Sequence, residues 1–197
     1  MDIIKHYDML IEEDNDPFRD PPELKAYMER WDGAMFIEAM QLHETKKVLE
    51  IGVGTGRVAA KVAPCCRYFT GIDISPKTVK RAKENLAEYK NISLICADFC
   101  EYAFCETFDV IYATLTMMHF SQKEQVISKV ETLLNHDGIF CLSIDKNQEK
   151  WIDMGNRKIE IYPDTVEHML SVVCATSLQV TDVLETDFAH IVVCVKP

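Results

Sequence analysis

The chain has 197 residues, 21 basic and 32 acidic, for a formal charge of −11. That length suits one domain, and 48% hydrophobic content supports a packed core rather than disorder. No run approaches the ~20 apolar residues that span a bilayer, the start lacks the basic-then-apolar order of a secretory signal, and the acidic balance without a basic run argues against a nucleic-acid partner.

Seven acids (Asp2, Asp8, Glu12, Glu13, Asp14, Asp16, Asp20) crowd the first twenty positions, against Lys5 and Arg19. Pro17, Pro21 and Pro22 then break any helix. From Glu23 to Leu42, apolar residues recur at Leu24, Tyr27, Met28, Trp31, Met35, Phe36, Ala39 and Met40, a roughly helical spacing with Gly33 as its weak point. The pattern predicts an acidic helical arm, a proline-rich link and an amphipathic helix that docks on the core.

From Lys46 onward, short apolar strands alternate with helix-length segments. Strands are predicted at Val48–Ile51, Tyr68–Ile72, Ile92–Ala97, Phe108–Ala113 and Ile139–Ile144, with two more near 178–185 and 190–195. Ser75-Pro76 marks a helix start, with serine as cap and proline in the first turn. Ser121 and Glu124 have the spacing of a capping box, and Asp164 with Glu167 suits a further helix start. Such alternation needs crossover connections, hence a mainly parallel sheet covered on both faces. The last two strands lie too close in sequence for a crossover and should pair as an antiparallel hairpin.

The eight cysteines read as reduced thiols of a cytoplasmic protein, most of them small interior hydrophobes. Cys96, Cys100 and Cys105 have no evident zinc or iron–sulfur spacing, so no metal site is expected.

Three of the seven glycines, Gly52, Gly54 and Gly56, sit between a buried strand and a helix. There they let the backbone turn and approach a ligand closely, as nucleotide-binding loops require. The dinucleotide pattern G-x-G-x-x-G/A is met by Gly54, Gly56 and Ala59, so the loop alone is ambiguous. Glu50, two residues before the first glycine, suits a cationic ligand and disfavours a pyrophosphate. The chain is also short for a separate dehydrogenase domain, and no tyrosine is followed four residues later by lysine.

Val48-Leu49-Glu50-Ile51-Gly52-Val53-Gly54-Thr55-Gly56-Arg57 resembles the first motif of class I S-adenosylmethionine-dependent methyltransferases. Gly71-Ile72-Asp73-Ile74-Ser75, Ala97-Asp98-Phe99 and Phe108-Asp109-Val110-Ile111-Tyr112-Ala113 resemble the next three, in the family's order. The resemblance covers about residues 45–197. It implies a three-layer α/β fold: a Rossmann-like, seven-stranded, mainly parallel sheet with a C-terminal antiparallel hairpin and helices on both faces. Residues 45–197 would be the S-adenosylmethionine-binding domain and residues 1–44 an N-terminal helical lid.

The resemblance also implies roles. Gly52, Gly54, Thr55 and Gly56 would pass under the methionine part of S-adenosylmethionine, with Glu50 drawing its amino group or sulfonium. Asp73 would accept from the ribose hydroxyls, Ile74 pack on adenine, and Asp98 with the Phe99 N–H meet the adenine edge. Thr114 and Leu115 would line the methionine end. Asp73 and Asp98 fit turn or helix capping as well. In relatives an N-terminal aromatic often shields the sulfonium, which singles out Tyr7 and Trp31, although Tyr27 and Trp31 also fit an amphipathic helix core.

His119, after the fourth strand, is the one candidate general base and fits a structural role equally. Arg157 suits either an acceptor carboxylate or an exposed loop. No Asn/Asp-Pro-Pro-Tyr stands at the fourth motif, which lowers the case for nucleic-acid bases. The sequence thus points to methyl transfer onto an O, N or S atom of a small molecule, leaving S-adenosylhomocysteine, by a monomer or homodimer. The alternative is a non-catalytic binder of the same ligands.

Overall fold

The structure, a computed structural model, describes residues 2–197. Its central sheet has seven strands in the order β3-β2-β1-β4-β5-β9-β8. These are β1 (Lys47–Ile51), β2 (Tyr68–Asp73), β3 (Ile92–Cys96), β4 (Phe108–Ala113), β5 (Leu134–Asp145), β8 (Gln179–Glu185) and β9 (Ala189–Val195). All but β9 run in one direction, and β8 with β9 forms the expected antiparallel hairpin. Among the described residues, no helix is long and apolar enough to cross a membrane.

The order places a switch point between β1 and β4. From β1 the chain steps outward to β2 and β3, and from β4 outward to β5 on the other side. Right-handed crossovers therefore put the connections on opposite faces. One face carries α4 (Ala59–Val62) and α3 (Ala34–Ala39), which pack Phe36, Val58 and Val62 against Val48, Val110 and Tyr112. The other carries α6 (Lys123–Leu133) and α7 (Val166–Cys174), which pack Ile127, Val130 and Met169 against Leu49, Ile111 and Phe140. Alternation along each strand fills both faces with apolar side chains, as a doubly covered sheet requires.

Helix starts need a side-chain oxygen for the free N–H groups. Ser75 supplies it to α5 (Pro76–Asn85) by accepting from the Thr78 N–H at 3.1 Å. The capping box at Ser121 does not form. Helix α6 begins at Lys123 behind Gln122, so Ser121 stands one residue outside the N-cap; the buried Lys123 ammonium is held by the Met117 and Tyr162 carbonyls and Asp164. Asp164 is thereby occupied, and Thr165 caps α7 instead.

The N-terminal segment forms α1 (Ile3–Glu12) and α2 (Pro22–Asp32), with the predicted break at Gly33 before α3. Beyond β5, a two-stranded sheet of β6 (Trp151–Asp153) and β7 (Lys158–Glu160) closes through Gly155, where φ is +78°. Strands of three residues are too short for alternation to mark them. Of the eight cysteines only Cys66, Cys141 and Cys194 are buried, whereas Cys65, Cys96, Cys105 and Cys174 are exposed. The interior reading holds only where the residue faces the sheet's packed layers.

Candidate active site

A cavity of about 390 Å³ opens at the C-terminal ends of the parallel strands, on both sides of the switch point. The strand order sets out its polar residues along the sheet edge: Asp98 after β3, Asp73 ending β2, Glu50 in β1 and Thr114 after β4. The loop after β1 forms the floor. Gly52 has φ +75°, and a Cβ there would lie 2.3 Å from Thr116 Oγ1, so only glycine lets the loop pass under that side chain. Gly54 has φ +57° and faces open space, where its N–H donates to Asp73 Oδ2 at 3.0 Å. That open, bare backbone is a cradle in which a ligand can lie against the chain.

Glu50 owes its position to register. It pairs with Tyr112 across β1 and β4, so both side chains lie on one face, and the Tyr112 hydroxyl donates to Glu50 Oε2 at 2.8 Å. Glu50 is only 2% exposed, and burial pushes its carboxyl well above the ordinary value. A buried carboxylate on a cavity wall gains most from a cation brought to it. Asp73 is also raised by burial, although its Oδ1 accepts from the Ser75 N–H at 3.0 Å. Both of its oxygens thus hold the loops around the cavity, and each keeps a lone pair for a further donor.

Arg57, directly after the glycine run, also lines the cavity. Its Nη1 donates to Asp32 Oδ1 at 3.0 Å and its Nη2 to the other oxygen of that buried carboxylate. Thr114 Oγ1 donates to Asp32 Oδ2 at 2.8 Å and receives a bond from Ser143 Oγ, which in turn accepts the Leu115 N–H. This chain of bonds ties the end of α2 to the loops after β1 and β4, and sequence reasoning missed it. The available signals were an acid ending an amphipathic helix and an arginine directly after the glycine run. Their separation of 25 positions hid the pairing.

Helix α1 crosses the cavity and contributes Ile3 and Tyr7, and the following segments add Pro17 and Met28. The Tyr7 hydroxyl lies 2.6 Å from His119 Nε2. Burial raises the Tyr7 phenol, while burial and then the fields of His6 and Lys123 push His119 down to about 4. Near neutral pH the ring is therefore uncharged and the phenol protonated, and the two share one hydrogen bond through Nε2.

Most of the arm's acids meet cations or hydrogen-bond donors of the core rather than the cavity. Asp8 accepts from Ser75 Oγ at 2.7 Å and the Lys77 N–H at 3.1 Å, and Glu12 pairs with Lys77. Asp16 takes Arg81 and Asn85, while Glu13 holds Arg157 by two bonds of 2.6 Å. Arg157 is thus neither an exposed loop cation nor free for an acceptor carboxylate; it is the far clasp of the arm. The acids that gave the arm its charge largely dock it.

Of the residues expected at the cofactor, Glu50, Gly52, Gly54, Thr55, Asp73, Ile74, Asp98, Phe99, Thr114, Leu115 and Tyr7 line this one cavity, as does His119. Gly56 lies beneath it, where a Cβ would meet Leu86 at 2.8 Å. Asp98 Oδ1 also accepts from the Cys100 N–H at 2.7 Å, the capping task its position allowed. Trp31 is displaced from the expected role: it does not line the cavity. Its indole N–H donates to Asp145 Oδ2 at 3.0 Å and its ring lies against Phe188, docking α2 on the hairpin side.

Residues 48–138 match the family model described as Methyltransferase domain. The match covers a little under half of the chain. Nodulation protein S of Sinorhizobium fredii is 26% identical over 108 residues, 52% of this chain and 50% of that protein, so the chain spans about half the length of the curated relatives it matches. An S-adenosylmethionine dependent methyltransferase from Mesorhizobium loti has a TM-score of 0.71 at 15% identity, covering 83% of this chain and 97% of that one. The N-methyltransferase NodS from Bradyrhizobium japonicum, in complex with S-adenosylhomocysteine, has a TM-score of 0.68 at 17% identity, covering 93% and 90%. At these identities the likeness to the two structures is one of fold. The matched segment spans β1 to the start of β5 and contains Glu50, the glycine loop, Asp73, Asp98 and Thr114.

Proposed function

We propose that the chain binds S-adenosylmethionine in this cavity and transfers its methyl group to a small-molecule acceptor. The observation that carries the reading is the order of groups along the sheet edge. Asp98 and Asp73 stand at one end, and Glu50 with Arg57 at the other, over a glycine floor bare enough for a ligand to lie on. This matches a long ligand with hydroxyls and a base at one end and an amino acid at the other. The methyltransferase domain match and the S-adenosylhomocysteine named for the Bradyrhizobium enzyme support it.

In this reading Asp73 takes the ribose hydroxyls with its remaining lone pairs, and Asp98 with the Phe99 N–H meets the adenine. Glu50 draws the amino group, Arg57 meets the carboxylate, and Asp32 and Thr114 hold Arg57 in place. S-adenosylmethionine supplies a methyl group already activated on a sulfonium, so orientation does more than proton transfer. Residues 1–44 act as the lid, with Tyr7 and Ile3 excluding water from above. His119 serves as the strut under Tyr7 rather than as a base, because burial disfavours its protonated form and Nε2 is already taken.

Calorimetry tests this directly. S-adenosylhomocysteine should bind with micromolar affinity and NADH should not; the reverse order would overturn the reading. Asp73→Ala should weaken S-adenosylhomocysteine at least tenfold, and unchanged affinity would remove Asp73 from the site. A labelled methyl donor screened against small-molecule acceptors separates transfer from binding alone, and silence across a broad panel would leave a binder.

A further inference from the structure

A second cavity, of about 330 Å³, adjoins the first and shares Leu115 and Thr116 with it. The shared wall is held in a costly shape. Leu115 has φ +53°, unusual for a residue with a side chain, and the Ser143 hydroxyl fixes its N–H at 3.0 Å. Behind this wall lie Asp145, Asp153 and Asp164, while no lysine or arginine lines the cavity. Two of these carboxylates have ionic partners: Asp153 meets Lys158 at 2.7 Å, and Asp164 meets Lys123 at 3.0 Å. Asp145 differs. Among the described residues it has no ion pair and accepts only the Trp31 Nε1–H at 3.0 Å and the Asn147 N–H at 2.7 Å. Trp151 stands at the same cavity, half exposed, and Met118, Ile152 and Ile161 supply apolar wall.

We propose that this second cavity is the methyl-acceptor site and that it selects an acceptor carrying a protonated amine on an apolar body. The inference rests on the cofactor reading of the first cavity, because the shared Leu115–Thr116 wall is what sets the acceptor beside the methyl group. Asp145 offers an uncompensated negative charge in a partly enclosed space, and each of its oxygens keeps a lone pair for an ammonium N–H. Trp151 adds the face of an aromatic ring, which attracts a cation and fits an apolar chain equally well. An anionic acceptor would meet the charge of Asp145 with no basic side chain lining this wall to offset it. The apolar surface around Met118 and Ile161 then takes the rest of the molecule.

Three probes of similar shape test the charge selection: phenethylamine, 2-phenylethanol and 3-phenylpropionate, each titrated into protein saturated with S-adenosylhomocysteine at pH 7.5. Phenethylamine should bind at least tenfold more tightly than 3-phenylpropionate, with the alcohol between. Asp145→Asn should weaken phenethylamine at least fivefold and leave the S-adenosylhomocysteine affinity within twofold. Trp151→Leu, at a half-exposed position that the fold does not need, should weaken it about threefold and covers the case in which Asp145→Asn disturbs packing at Trp31. Charge-blind binding, or an amine preference that survives both variants, would overturn the inference while S-adenosylhomocysteine still binds. Failure of S-adenosylhomocysteine itself to bind would overturn the cofactor reading, and this inference with it.

Discussion

The floor of the first cavity and the arm that crosses it are built on opposite physical principles. The floor is buried backbone geometry: glycines in left-handed conformations, and carboxylates held between strand ends at a cost in hydration. The arm is held at its outer side by ion pairs: Glu12 with Lys77 in the open, and Asp16 with Arg81 and Glu13 with Arg157, each with one buried partner. A floor of that kind binds strongly and tolerates little change. An arm of that kind responds to ionic strength more than the floor does, because salt reaches each pair through its exposed partner. The comparison teaches that the shape of the cavity and access to it are set by separable forces in this molecule.

The largest effect is expected from breaking the floor's geometry. Gly52→Val places a branched side chain at φ +75° against Thr116, which must move and take the shared wall with it. The fold should lose about 2–3 kcal/mol, as strained backbone and overpacking do. S-adenosylhomocysteine binding should fall more than 100-fold in calorimetry. Retention of affinity would mean that the floor is pliable, and the contrast with the arm would disappear.

A change of charge in the floor should divide stability from binding. Burial raises the Glu50 carboxyl above its ordinary 4.5, so the folded state holds that proton more tightly than the unfolded chain does. The unliganded protein should therefore lose stability as pH rises from about 4.5 through the raised value, and Glu50→Gln should flatten that slope. The variant should be more stable at pH 7 by about 1 kcal/mol in denaturant titration, since Tyr112 can still donate to the amide oxygen. Its affinity for S-adenosylmethionine should drop about tenfold. A variant that is both less stable and fully competent would contradict the assigned role.

The arm should give the smallest and most graded response. Raising sodium chloride from 0.05 to 1 M should speed hydrogen exchange severalfold across residues 3–13 and leave β1 and β4 unchanged. Glu13→Gln should mimic part of that at low salt. The Arg157 hydrogen bonds hold the Glu13 carboxyl below its ordinary value. The clasp is therefore complete above about pH 4.5 and lost as pH falls through the lowered value. Equal exchange in arm and floor at both salt concentrations would erase the distinction.

The divide between what the residues disclose in order and what folding adds follows the range of the interactions. Strand identity, the helix start at Ser75, the break at Gly33 and the terminal hairpin are written locally, because periodicity, capping and turn chemistry act within a few residues. The resemblance of the four ordered motifs also named most of the residues that line the first cavity, since the end of each parallel strand delivers its next residues to one edge. Trp31 shows where that reading failed: its spacing fits a cofactor shield and a docking residue equally, and only the position of Asp145 separates them. The arm's acids are a second case, since their charge was legible but their lysine and arginine partners were not. The Asp32–Arg57–Thr114 chain and the second cavity had no local signature at all, being made by contacts across α2, the glycine loop and the segments beyond β4 and β5. The sequence by itself therefore determined the sheet, its order of motifs and the floor of the first cavity. Tertiary structure alone decided which charges face a ligand and which face each other, because a side chain's partner is set by packing that no local pattern encodes.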